Sequence, residues 1–174
     1  MKYVFSLGAL LLCSSSLMAA GKAPTSAKVE LRNAQGQPVG TATFKQAHGG
    51  VNISLQVFSL PAGTHAFHIH TVGKCDPPDF KTAGGHFNPE NKKHGLKSSA
   101  GPHAGDMPNI AVGQKGKGKA TLLNKRVTLG EGANSLFHEG GTALVMHEKA
   151  DDDMTDPAGN AGNRIACGVI QKGK

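Results

Sequence analysis

The sequence predicts an all-β domain, a sandwich or barrel of about eight short strands. Three observations predict it. Apolar and polar residues alternate in short runs, the period of a half-buried strand. Glycine fills 24 of 174 positions, about twice the usual ~7% share, as many tight turns require. No stretch shows the 3.6-residue stripe of an amphipathic helix.

The strands follow in order. "AKVELRN" alternates across Val29–Leu31, and "GTATFKQ" follows a Gln-Pro turn. "VNISLQVFSL" sets Val51, Ile53, Leu55 and Val57 on one face, a strong strand signal. "THAFHIHTV" continues after "PAG", and "NIAVG", "GKATLLNKRV", "GTALVMHEK" and "RIACGVIQK" complete the set. Two long connections interrupt the spacing, at about 73–108 and 151–163. Long loops with little regular structure in a compact domain are usually functional.

Residues 1–20 have the layout of a secretory signal peptide: Lys2, an apolar run from Val4 to Leu12, then small residues. The expected cleavage point lies within 19–23. The apolar run is too short to span a bilayer. Leu12 before Cys13 argues against a lipidated cysteine, so no stable membrane anchor is expected. Residues 21–174 then form one domain, with 21–27 as a flexible lead-in. Export implies a periplasmic or secreted protein. In an oxidising compartment the two remaining cysteines, Cys75 and Cys167, pair as a disulfide. That bond closes a loop of about 90 residues, worth about 4–5 kcal/mol at most by the chain-entropy model. The formal charge is +7, which favours anionic partners. Base-stacking aromatics are missing, since there is no Trp and the one Tyr lies in the leader. Nucleic acid is therefore excluded as a partner.

The histidines carry the chemistry. In "FHIH", His68 and His70 share one strand face, about 7 Å apart. His65 faces the other way and reads as structural. The first long loop holds His86, His94, His103 and Asp106 within 21 residues, closing on H-x-x-D. Three imidazoles and a carboxylate are a complete tetrahedral zinc set. A polar loop with scattered histidines is the plain alternative, but four donors in one loop favour metal. His147 ends an apolar strand. With His68 and His70 it offers three nitrogens, which suits copper in a flattened geometry. A fourth position would remain for a loop histidine.

Taken together, "HAFHIH", "AGGHFNP", "KKHG", "GPHAGDMPN", "ALVMHEKADD" and "GNAGNRIACGVI" resemble the copper/zinc superoxide dismutases of the exported bacterial kind. The resemblance runs from about residue 27 to the C-terminus. It implies an eight-stranded antiparallel Greek-key β-sandwich or barrel with two long functional loops, and one copper and one zinc ion per subunit. Copper would lie on His68, His70, His86 and His147, and zinc on His86, His94, His103 and Asp106, with His86 bridging both. Asp151 would hydrogen-bond a copper ligand and a zinc ligand, here His68 and His94. Cys75–Cys167 would be the intrasubunit disulfide. Arg164 would orient the superoxide anion, and His86 would carry a proton. The implied activity is dismutation of superoxide to O₂ and H₂O₂, protecting the cell envelope.

The stretch "DPPDFKTAG" is shorter than the subloop that carries steering lysines in many exported relatives. Which lysine steers therefore stays open. So does the oligomeric state, with a homodimer among the options. His48 and His138 match no role and are expected to be exposed. The alternatives are a non-catalytic periplasmic module that sequesters or delivers copper or zinc, and a basic surface-binding protein with incidental histidines.

Overall fold

A computed structural model describes residues 23–173. The signal-peptide reading of residues 1–20 lies outside the described residues. Ten strands follow in chain order: β1 Ser26–Asn33, β2 Pro38–Ala47, β3 Gly50–Val57, β4 Gly63–His65, β5 Phe67–His70, β6 Ile110–Val112, β7 Gly118–Asn124, β8 Ala143–His147, β9 Arg164–Val169 and β10 Gln171–Lys172. The only helical element among the described residues is a 3₁₀ turn at Lys81–Ala83. No helix among them is long and apolar enough to cross a membrane.

The count exceeds eight because two predicted runs break. "THAFHIH" divides at Ala66, whose N–H donates to Lys149 O and whose carbonyl accepts from His147 N. "RIACGVIQK" divides at Ile170, whose N–H donates to Thr142 O. The run expected to reach Val127 stops at Asn124, whose Oδ1 accepts from Arg126 N at 2.9 Å and turns the chain. The connection that follows, 125–142, is a third long loop, not singled out in the sequence.

The ten strands pair only antiparallel, in the order β5-β8-β9-β1-β2-β3-β7, with β10 also on β1 and with β4–β6 as a separate pair. β9 returns over a long connection to lie beside β1, ahead of the β1-β2-β3 hairpins. This is the Greek-key crossing. Alternation places Val29, Leu31, Ala42, Phe44, Ile53 and Leu55 in one core. Lys28, Glu30, Thr41, Thr43 and Asn52 face out.

β5 and β8 depart from this pattern, because every residue in both is buried. Phe67, Ile69, Leu144 and Met146 point into the main core. The opposite face is roofed by the first long loop. There Phe80, Ala83, Ala143, Val145 and Cys167 form a second, smaller cluster beside Cys75. The disulfide Cys75–Cys167 fastens that loop to β9. His68 and His70 share this covered face, since they pair across to Val145 and Ala143.

A register shift between Met146 and His147 sets the remaining strand residue. Met146 pairs with Ala166, but His147 pairs with Arg164. Residues 164 and 167 lie three apart and would face opposite ways in a regular strand. The bulge absorbs one residue, so Arg164 and Cys167 both serve the outer face while Ile165 packs against the core.

The free edge of β5 is closed by the first long loop. Ile69 N donates to Gly105 O at 3.0 Å, Phe87 N to Ile69 O at 2.8 Å, and Thr71 N to Gly85 O at 2.9 Å. Gly105 fits because a Cβ there would collide with Ile69 O.

Candidate metal centre

The structure gathers seven predicted ligands into two groups that share one ring. His68, His70, His86 and His147 form one group; His86, His94, His103 and Asp106 form the other. Within each, the donor atoms lie within 4.8 Å of one another. Sequence distance disappears: β5, β8 and the first long loop each deliver part of the set.

The polar atoms that point away from each group are largely occupied. His68 Nε2–H donates to Asp151 Oδ2 at 2.8 Å and His70 Nδ1–H to Gly84 O at 2.9 Å. His147 Nδ1 faces Gly162 O at 3.5 Å. His68 Nδ1 and the Nε2 atoms of His70, His86 and His147 are then buried with no hydrogen-bond partner. Four buried lone pairs left unpaired in one place would be costly in an apolar interior. A cation that accepts nitrogen donors removes that cost, and an all-imidazole set suits copper.

The second group is equally ordered. Asp106 Oδ2 accepts from the amides of Gly95 and His103, both at 2.9 Å, and its Oδ1 faces inward. His94 Nε2–H donates to Asp151 Oδ1 at 3.0 Å, so His94 Nδ1 faces inward too. Asp106 Oδ1 lies 2.8 Å from His86 Nδ1, 3.1 Å from His94 Nδ1 and 3.3 Å from His103 Nδ1. His86 Nδ1 and His103 Nδ1 are 3.4 Å apart. Ligands about 2.0–2.1 Å from a tetrahedral zinc stand about 3.3–3.4 Å from one another. The residues fit that ion.

The electrostatics follow from burial and pairing. Burial lowers His86 to about 4, against a raising hydrogen bond to Asp106. Burial and the neighbouring His68 and His86 lower His147 to about 3. Burial likewise holds His70 well below its ordinary value. His94 moves the other way. Burial works against its charge, but hydrogen bonds to Asp106 and Asp151 outweigh it and raise His94 to about 10. Burial pushes Asp106 and Asp151 up, yet the histidines bonded to them hold both carboxyls far below the usual range.

Arg164 borders the same cavity, about 300 Å³, together with His70, His86 and His147. Its Nη1 donates to Phe80 O at 2.7 Å and its Nη2 to Gly84 O at 2.6 Å. Gly84 O therefore holds both Arg164 and His70. Gly84 has φ +74, a backbone region glycine enters freely. Pro78, Asp79 and Lys81 line an adjoining hollow that also reaches Arg164. Lys81 Nζ is paired with Asp79 at 2.7 Å, whereas Arg164 borders the cavity beside His70, His86 and His147.

Comparison with known proteins decides the family. The model of the copper/zinc superoxide dismutase (SODC) family matches residues 38–170. The chain belongs to the copper/zinc superoxide dismutase family. It is 56% identical over 144 residues to superoxide dismutase 1 (Cu-Zn) of Aquifex aeolicus, covering 82% of this chain and 85% of that one. It is 53% identical over 166 residues to superoxide dismutase 2 (Cu-Zn) of the same organism, covering 94% and 95%. Among solved structures, a SOD-like protein from Bacillus subtilis superposes with TM-score 0.78 at 41% identity, over 82% of this chain and 96% of that one. The Cu/Zn superoxide dismutase of Brucella abortus superposes with TM-score 0.67 at 28% identity, over 84% and 99%. The family binds copper and zinc and carries out superoxide dismutation, and the two ligand groups here are consistent with it.

His65 is structural, as expected: its Nδ1 lies 2.9 Å from His147 O and its Nε2 3.0 Å from Pro61 O. His138 is not exposed. It is half-buried and stacks on Phe87 at 5.2 Å and 8°, because the 125–142 loop folds back beside the ligand loop. Other supporting residues were missed. Asn109 grips Asp151 through both backbone groups, at 2.9 and 2.8 Å. Asp156 accepts from His94 N at 2.8 Å. Asn124 and Arg126 hold carbonyls of the ligand loop. Only a fold brings such residues to a ligand, although Asn109 closes the motif "GPHAGDMPN".

Proposed function

We propose that this chain converts superoxide to O₂ and H₂O₂ with copper on His68 Nδ1 and the Nε2 atoms of His70, His86 and His147, and zinc on Asp106 Oδ1 and the Nδ1 atoms of His86, His94 and His103. When bound, copper supplies reversible one-electron exchange and zinc supplies a fixed charge without redox chemistry. The reading is carried by one ring. His86 places Nδ1 among the zinc donors, 2.8 Å from Asp106 Oδ1, while its Nε2 is buried among the copper donors without a hydrogen-bond partner.

Two superoxide ions and two protons become one O₂ and one H₂O₂. The first anion gives up an electron; the second accepts one. Arg164 orients each, since a permanently charged planar guanidinium fixed by two carbonyls presents a rigid positive site. His86 Nε2 could hold a proton only while free of copper; in that state it would pass a proton taken from solvent to the second anion, with the other proton also from solvent. Asp106 and the zinc group hold the ring in place, so the proton travels without a large displacement. Asp151 holds His68 and His94 in matched tautomers, so both sites stay assembled.

Secretion into the periplasm is part of the proposal, supported by the leader-like start of the sequence and the disulfide. A homodimer is likewise part of the proposal. Metal analysis and superoxide consumption test the reading, with His147→Ala beside the parent. One copper and one zinc per chain, with turnover lost in His147→Ala, is the expected result. Stoichiometric metal without turnover in the parent would instead make the chain a sequestering module.

A further inference from the structure

We propose that Arg126 is a positioning residue for zinc binding, with Asn124 assisting it through the backbone of the turn His103–Asp106. The inference rests on the zinc reading of His86, His94, His103 and Asp106. That turn supplies two of the four donors, from residues three apart. Any rotation of the turn moves both donors together. Its own closing bond, Asp106 N to His103 O, is long at 3.3 Å.

Inside the turn His103 N also donates to Asp106 Oδ2 at 2.9 Å, and the carbonyls are held from outside. Arg126 Nε donates to His103 O at 3.2 Å and Arg126 Nη2 to Asp106 O at 2.7 Å. Asn124 Nδ2 donates to Ala104 O at 2.9 Å. Three carbonyls of a four-residue turn are thus gripped by two side chains. The two residues are also tied together, since the backbone N–H of Arg126 donates to Asn124 Oδ1 at 2.9 Å. Asn124 is 1% exposed and pairs with Val51 as the last residue of β7. The grip therefore transmits the rigidity of the sheet to the ligand turn. A guanidinium suits the task because its N–H groups stand in a fixed planar fork. Two carbonyls at set positions fix the rotation of the turn about its own axis.

The sign of the charge separates positioning from attraction. A guanidinium repels a zinc ion, so any gain in affinity from Arg126 must come from geometry. Removal of the positive charge alone would tighten zinc binding.

The test uses full-length, metal-free protein. Zinc affinity is measured by competition with a chromophoric chelator, and the visible bands of Co(II) report the geometry of the three-imidazole, one-carboxylate site. Thermal melts of the metal-free form run alongside. Arg126→Ala is expected to weaken zinc binding about 10–100-fold, the range for residues that orient metal ligands, and to shift the Co(II) bands. Arg126→Lys keeps the charge and the stem but reaches one carbonyl. It should restore most of the metal-free melting temperature but only part of the zinc affinity. Parent-like affinity and Co(II) bands in Arg126→Ala, whatever its melting temperature, would overturn the proposal, as would tighter zinc binding. If Arg126→Ala does not fold, Arg126→Lys decides: weaker zinc at an unchanged melt supports the proposal, and parent-like zinc overturns it. Asp106→Ala is the control for the underlying reading. Parent-like zinc binding in that variant would discard the zinc set itself, a result distinct from failure of the clamp.

Discussion

Replacing Asp151 with asparagine should damage the copper site more than the zinc site, and the hydrogen bonds say why. The two carboxylate oxygens do different work. Oδ1 accepts from His94 Nε2 at 3.0 Å and from Asp153 N at 2.6 Å. Oδ2 accepts only from His68 Nε2, at 2.8 Å. Asparagine offers one oxygen and one NH₂. The oxygen belongs where two donors converge, so the NH₂ must face His68. Two donors then oppose each other in a site where His68 is fully buried. His68 can relieve the conflict only by moving its proton to Nδ1, the atom directed at the copper group. A buried donor left unsatisfied costs about 1–3 kcal/mol, and about 1.4 kcal/mol is tenfold in affinity. Copper affinity should therefore fall about 10–100-fold in Asp151→Asn, with zinc affinity reduced much less. Competition titrations of each metal against a chelator measure both. Zinc loss equal to or greater than copper loss would refute this division of labour, and so would unchanged copper binding.

Arg164→Ala should lower turnover about ten- to hundredfold and weaken inhibition by small anions, with copper content unchanged; full activity would remove Arg164 from the mechanism. The parent rate should also fall as salt rises, because screening weakens attraction of the anion, and a flat profile would rule out steering. Stability of the metal-free protein should decline below neutral pH. His86 and His147 take protons near 6.5 when unfolded but only near 4 and 3 when folded. Between those values the unfolded chain binds more protons, so their contribution is complete above 6.5 and is lost as pH falls through that window. His94, raised to about 10, contributes fully below 6.5 and loses that contribution from there up to about 10. Urea melts across pH 3–10 should thus peak near neutrality; rising stability from pH 6.5 down to 4 would contradict the assignment. Double replacement Cys75→Ser with Cys167→Ser frees a 92-residue loop and should cost up to about 4–5 kcal/mol in the same melts. No change would mean that packing of Phe80 and Ala83 on Ala143 and Val145, with the bonds from Arg164 to Phe80 O and Gly84 O, is enough to hold the loop.

Much of the site was legible because its signals are local. Period-two alternation in "FHIH" puts two imidazoles on one face whatever lies across from them. His86, His94, His103 and Asp106 sit in one glycine- and proline-rich loop, so their donor types already spell a zinc set. The less legible parts depend on contacts between distant segments. Arg164 and Cys167 share a face only because a bulge opposite His147 shifts the register, and no sequence pattern announces that bulge. His138 looked like a spare surface histidine, yet it stacks on Phe87 once the 125–142 loop folds back.

By itself, then, the sequence determined the class of fold and the donor residue types, and the family resemblance implied their grouping, since strand period and side-chain chemistry are properties of neighbouring residues. Tertiary structure alone decided which nitrogen of each ring faces inward. That choice belongs to the partners on the far side: Gly84 for His70, Asp151 for His68 and His94. It also decided that Asn124, at a strand end, and Arg126, just past it, grip the ligand turn. A hydrogen bond is set by position in space, and the chain brings these atoms together only when the sheet has closed.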